Sequence, residues 1–121
     1  MSASCLFCRI VAGEIPADTV TETATTYAFR DVNPQAPVHV LVIPKIHVAH
    51  VHAIGDDHRG LLDDLFATAR SVALSEGLAG ADGDGEPGYR IVANVGTNGG
   101  MSVAHLHLHV LGSRALRWPP G

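Results

Sequence analysis

Residues 103–111, VAHLHLHVL, set the tightest limit on how this chain folds. Aliphatic and imidazole side chains alternate there with a period of two, which an extended strand sorts onto two faces. Ala104, Leu106, Leu108 and Val110 form an apolar face suited to packing on a helix. Val103, His105, His107, His109 and Leu111 form the other, with successive imidazoles about 7 Å apart on a straight strand. Folding alone does not require three imidazoles in a row. Repulsion between charged rings favours their neutral forms near pH 7. Three readings of such a row stay open: a metal site, nucleophilic and acid–base chemistry, or a hydrogen-bonded structural row.

The remaining elements predict an antiparallel α+β domain spanning residues 1–121. Residues 5–12 (CLFCRIVA) read as a short helix closed by Gly13, and Pro16 opens an extended segment. Residues 27–32 read as a strand ended by Asn33-Pro34, and 38–43 (VHVLVI) as a second strand stopped by Pro44. Asp56 and Asp57 look like the capped start of a helix reaching about Glu76, with Leu61, Leu65, Phe66, Ala69, Val72 and Ala73 on its buried face. Residues 80–88 form a loop whose Asp82 and Asp84 open like a calcium loop but lack the later ligands, so it reads as a flexible turn. Residues 89–95 and 103–111 are the third and fourth strands. Between them lies the glycine-rich stretch 96–102 (GTNGGMS). Gly99, Gly100, Met101 and Ser102 are placed there to offer successive N–H groups to a phosphate; a plain hairpin turn is the alternative.

Composition narrows the function classes. Twelve acidic against eight basic residues give a net charge of −4, which argues against a uniformly basic nucleic-acid binder. A hydrophobic share of 46% suits a folded domain, yet no apolar run approaches the ~18 residues a membrane span needs. The start MSASCLFCRI lacks the features of a signal peptide, so a cytoplasmic location is expected. Cys5 and Cys8 are too few for a disulfide-stapled fold. Their C-x-x-C spacing fits a redox pair, half of a zinc site, or two small apolar residues.

His105-Leu106-His107-Leu108-His109-Val110-Leu111 resembles the histidine-triad pattern, in which three histidines alternate with apolar residues. The resemblance extends over about residues 5–121. Phe29 and Asp31 before Pro34-Gln35-Ala36-Pro37, then His39 and Leu41-Val42-Ile43-Pro44-Lys45, look like the family's central strands. Gly99-Gly100-Met101-Ser102-Val103 fits its loop before the triad, and Trp118-Pro119-Pro120-Gly121 is similar to the ending of its Hint branch.

That resemblance implies a homodimer of five-stranded antiparallel sheets, each with one long helix and a short N-terminal helix. It also implies hydrolysis of purine nucleoside 5′-phosphoramidates at the α-phosphorus. His107 would be the nucleophile, forming a nucleotidyl-histidine that water cleaves. Its other ring nitrogen would donate to a backbone carbonyl. His109 would contact the phosphate and protonate the leaving amine, and His39 would orient the row. Asp31 would hold the ribose hydroxyls, while Phe7, Ile10, Phe29, Val32 and Leu41 would wall the base. Asn94, Gly100, Met101 and Ser102 would hold phosphate oxygens. Met101 stands where the Hint branch often has glutamine, so an amide contact is lost. Some bacterial members bind zinc through residues matching Cys5, Cys8, His47 and His105, a closed set that braces rather than catalyses. His50, His52 and His58 match nothing and are expected at the surface. A dinucleoside polyphosphate hydrolase, a nucleotide-binding adaptor and a metal store are the competing readings.

Overall fold

VHVLVIP carries no charge and takes the centre of the sheet. The computed structural model describes residues 4–80 and 87–121. The helix α1 is Leu6–Val11, the strands β1, β2 and β3 are Thr19–Glu22, Thr26–Arg30 and Val38–Pro44, the helix α2 is Leu61–Ser75, and the strands β4 and β5 are Tyr89–Val92 and Leu108–Gly112. The strands form one antiparallel sheet in the order β1-β2-β3-β5-β4. No helix among the described residues is long and apolar enough to cross a membrane. The Asp82 and Asp84 spacing lies outside the described residues.

The period of two in β3 feeds two cores. Val40 and Val42 meet Leu65, Ala69 and Val72 of α2, together with Leu106, Leu108 and Val110. Leu41 and Ile43 point the other way, toward Phe7 and Ile10 of α1 and Phe29 of β2. The short helix α1 is held by Cys5, whose Sγ accepts the Cys8 N–H at 3.3 Å, and by Gly13, whose φ of +79° turns the chain away.

Three expectations need correction. The long helix starts at Leu61, not at Asp56, because Gly60 adopts φ +84° and separates it from a 3-10 turn at Asp56–His58. Phe66 is 50% exposed beside the buried Leu65, so it lies off the packed stripe. The last strand begins at Leu108 rather than at 103. Its pairing ends there: β3 continues to Pro44 against β2 but pairs with β5 only as far as Val42 opposite Leu108, and β4 stops at Val92 opposite His109. A strand without a ladder partner has no backbone partners to hold it extended. The segment before it is tied instead by the Leu106 N–H donating to the Val48 carbonyl at 2.6 Å. Alternation survives in the side chains, since Leu106, Leu108 and Val110 still reach the α2 core. The third strand likewise stops at Val92, and β1 forms in the extended segment after Pro16.

Candidate functional site

Two clusters of polar side chains meet at the β3–β5 face that α1 covers. His107 sits just before β5 and is buried. Its Nδ1–H donates to the His105 carbonyl at 2.7 Å. A neutral imidazole with a proton on Nδ1 keeps its lone pair on Nε2. Phe7 packs edge-on against this ring with centroids 5.1 Å apart, and the His109 ring lies 4.9 Å away, closer than straight-strand spacing.

A hydrogen-bonded line fixes the other tautomers. The Gln35 backbone N–H donates to His39 Nδ1 at 3.0 Å. His39 therefore carries its proton on Nε2, which faces His109 Nδ1 at 2.9 Å and Asp31 Oδ2 at 3.4 Å. His109, accepting at Nδ1, is left with its proton on Nε2. Burial, then the nearby His107 and His39, push the His109 pKa down to about 4, with Asp31 opposing. Burial lowers that of His39 too, again against Asp31. The line works with neutral rings. Asp31, His39 and His109 also lie close enough to suggest a metal set. The Gln35 N–H excludes it, because a metal on His39 Nε2 would put a proton on Nδ1 facing that donor.

These groups open into a cavity of about 310 Å³. Of the residues singled out from the sequence, Phe7, Ile10, Phe29, Asp31, Val32, Leu41, Ser102, His107 and His109 line it. Val32 stands at its rim, 99% exposed. Asn94 lies outside the lining, with its amide 3.5 Å from His109 Nε2. Gly100 and Met101 are also outside it. The N–H groups of Gly99, Gly100 and Met101 close the turn onto the carbonyls of Gly96 and Thr97. From this stretch the residues that line the cavity are Ser102 and Val103. The turn demands glycine twice: Gly100 has φ +80°, and a Cβ on Gly99 would stand 2.2 Å from the Val95 carbonyl oxygen. Ile15, Pro16 and Ala17 also wall the cavity. They belong to an irregular stretch with no periodicity to mark it.

Cys5, Cys8, His47 and His105 form the second cluster, with one ligand atom from each within 4.8 Å of the others. His105 donates Nε2–H to the Pro44 carbonyl at 3.0 Å, so its Nδ1 lone pair faces the cluster. That single lone pair meets Cys5 Sγ at 3.3 Å, Cys8 Sγ at 3.5 Å and His47 Nδ1 at 3.2 Å. Cys8 Sγ lies 3.2 Å from His47 Nδ1. Hydrogen bonds cannot satisfy all of these contacts at once. A tetrahedral zinc ion would, since its ligand shell has edges of about 3.3 Å between nitrogens and about 3.6 Å between nitrogen and sulfur. The residues thus fit the metal, and the Pro44 carbonyl fixes the ligating tautomer.

Of the histidines expected at the surface, only His52 is exposed. His50 and His58 are half-buried, and the His50 ring stacks on His52 at 3.8 Å. The 3-10 turns at Val51–Ala53 and Asp56–His58 fold this stretch back on the domain.

Comparison with known proteins finds relatives over nearly the whole chain. An uncharacterized HIT-like protein of Synechococcus elongatus is 48% identical over 121 residues, covering 100% of both chains. A 14 kDa zinc-binding protein of Zea mays is 42% identical over 118 residues, covering 96% of this chain and 87% of its own. The crystal structure of a HIT family hydrolase from Legionella pneumophila superposes with a TM-score of 0.88 at 47% identity, covering 98% of this chain and 100% of that one. The HIT domain model matches residues 12–116, and the chain belongs to the HIT domain family.

Proposed function

We propose that this protein is a hydrolase that cleaves purine nucleoside 5′-phosphoramidates at the α-phosphorus through a nucleotidyl-histidine on His107. The observation that carries this reading is the 2.7 Å bond from His107 Nδ1–H to the His105 carbonyl, which leaves the Nε2 lone pair in a cavity that also holds Asp31 and apolar walls. The base lies between Phe7, Ile10, Phe29 and Leu41. Each Asp31 oxygen keeps accepting capacity for a ribose hydroxyl beside its protein contact. Ser102, with Asn94 near His109, receives the phosphate.

His107 Nε2 bonds to phosphorus as the phosphorus–amine bond breaks. The leaving nitrogen takes a proton from His109 Nε2 and departs as the free amine. The proton given is the one that the bond from His39 keeps on His109 Nε2. Water then attacks phosphorus, gives its proton to His109, and releases the nucleoside monophosphate from His107. The relatives' names support hydrolysis and zinc binding for the family members that carry them.

Cys5, Cys8, His47 and His105 would hold a structural zinc ion. With four protein ligands it would leave no open position for substrate, and it would fasten α1 to the segment before β5. A homodimer is the proposed assembly. The strand β4 is an edge of the sheet, and Leu62 and Phe66 expose apolar surface one turn apart on α2.

Adenosine 5′-phosphoramidate tests the reading. Wild-type protein should release adenosine monophosphate, while His107→Ala should bind the nucleotide and release none. Equal rates from both proteins would overturn the nucleophile. Faster cleavage of a dinucleoside polyphosphate would replace the substrate class.

A further inference from the structure

Nothing in the reaction just described uses Arg114, yet this side chain reaches the far end of the histidine line. Its Nε–H donates to the Gln35 carbonyl at 3.0 Å, across 79 positions of sequence. A second donor, Nη1, donates to the Ala115 carbonyl at 2.9 Å and ties the guanidinium to its own segment. That segment is placed by Ser113, a non-glycine residue at φ +67°, and pinned further along by Arg90, whose Nη2 donates to the Arg117 carbonyl at 2.7 Å.

Gln35 belongs to the irregular stretch between β2 and β3, which lies outside the sheet ladder. At the surface, the Gln35 side chain donates to the Asn33 carbonyl at 3.0 Å, and the Asn33 N–H donates to Asp31 Oδ1 at 2.8 Å. Arg114 holds the carbonyl of the residue whose N–H selects the His39 tautomer. The selection matters chemically. If His39 moved its proton to Nδ1, its Nε2 would become an acceptor facing His109 Nδ1. His109 would then carry its own proton on Nδ1, away from the leaving group.

We infer that Arg114 is a positioning residue for the proton transfer: through Gln35 and His39 it sets on which nitrogen His109 carries its proton. This rests on the proposed reaction for its catalytic consequence, but not for its structural one. His109 is faced by His107, His39 and Asp31, and by the neutral Asn94; none of these contacts Arg114 directly.

The test compares wild type with Arg114→Met, which keeps the aliphatic stem and loses the donors, and Arg114→Lys, which restores one. Arg114 is exposed, so both variants should fold. Two readouts are needed. Nitrogen-15 imidazole spectra report the His39 tautomer without any substrate. The expectation is a single Nε2–H form in wild type and Arg114→Lys, and a mixture in Arg114→Met. Turnover of adenosine 5′-phosphoramidate should show kcat about tenfold lower in Arg114→Met with KM within twofold, and recovery in Arg114→Lys. An unchanged His39 spectrum in Arg114→Met overturns the inference, whatever happens to kcat. A mixed spectrum with unchanged kcat overturns the catalytic part. If wild type does not turn over this substrate, the proposed reaction fails while the spectra still decide what Arg114 does.

Discussion

The carbonyl of His105 accepts the Nδ1–H of His107 at 2.7 Å, while the ring of the same His105 turns its Nδ1 toward Cys5, Cys8 and His47. One residue thus joins the Cys/His cluster to His107, its ring serving one and its backbone the other. Phe7 strengthens the link, because its ring packs edge-on against both His105 and His107.

Removal of a cysteine should therefore be felt in stability and at the cavity. Cys8→Ser is expected to lower zinc content from about one ion per chain to near zero and to cost several kcal/mol of folding stability. Elemental analysis and thermal melting of the two proteins check this. A wild type without zinc and an unchanged melting temperature would remove the metal.

Asp31→Asn keeps an oxygen for the Asn33 N–H but loses the charge proposed to receive the ribose hydroxyls. Binding of adenosine monophosphate should weaken about ten- to hundredfold, the range for hydrogen bonds to a charged group. The loss should be smaller for the 2′-deoxy nucleotide. Calorimetric titration of both ligands measures the difference, and equal losses would free Asp31 from the ribose.

Acid should destabilise the protein through the histidine line. An unfolded His109 takes a proton near the ordinary value of 6.5, whereas the folded one holds out to about 4. Between those values the unfolded state binds more protons, so stability falls as pH drops through the window and levels off above it. His39, lowered by burial, adds in the same direction. Between pH 7.5 and pH 5 His109 should account for a loss of about 1–2 kcal/mol, allowing for its partial contact with water. Urea unfolding at the two pH values, repeated on His109→Asn, should show a shallower pH dependence in the variant.

Adjacent residues of α2 should behave differently. Leu65 is fully buried and Phe66 half-exposed. Leu65→Ala should cost about 2–5 kcal/mol. Phe66→Asp should cost little within the chain but separate the proposed dimer, which light scattering detects. A dimer that persists in Phe66→Asp would move the interface elsewhere.

The period of two in 103–111 was legible because side-chain direction in an extended chain is a local property. Leu106, Leu108 and Val110 reach the α2 core although 103–107 is not a strand. The β3 strand was legible for the same reason, its apolar run serving two cores at once. Where elements begin was not. Gly60 at φ +84° delays α2, and β5 begins only where its pairing with β3 at Val42 and with β4 at Val92 begins; both depend on how distant segments meet.

What the sequence determined by itself was therefore the set of chemical groups and the faces they occupy: the alternating histidines, the C-x-x-C pair, Asp31 and His39. The tertiary structure decided which atom of each group does what. Proton positions on His39, His105, His107 and His109 follow from single backbone groups at Gln35, Pro44 and His105. Those partners come from loops and strand ends with no periodicity, so no pattern in the sequence marks them. An imidazole is symmetric enough to bond through either nitrogen, and only the three-dimensional neighbour chooses between them.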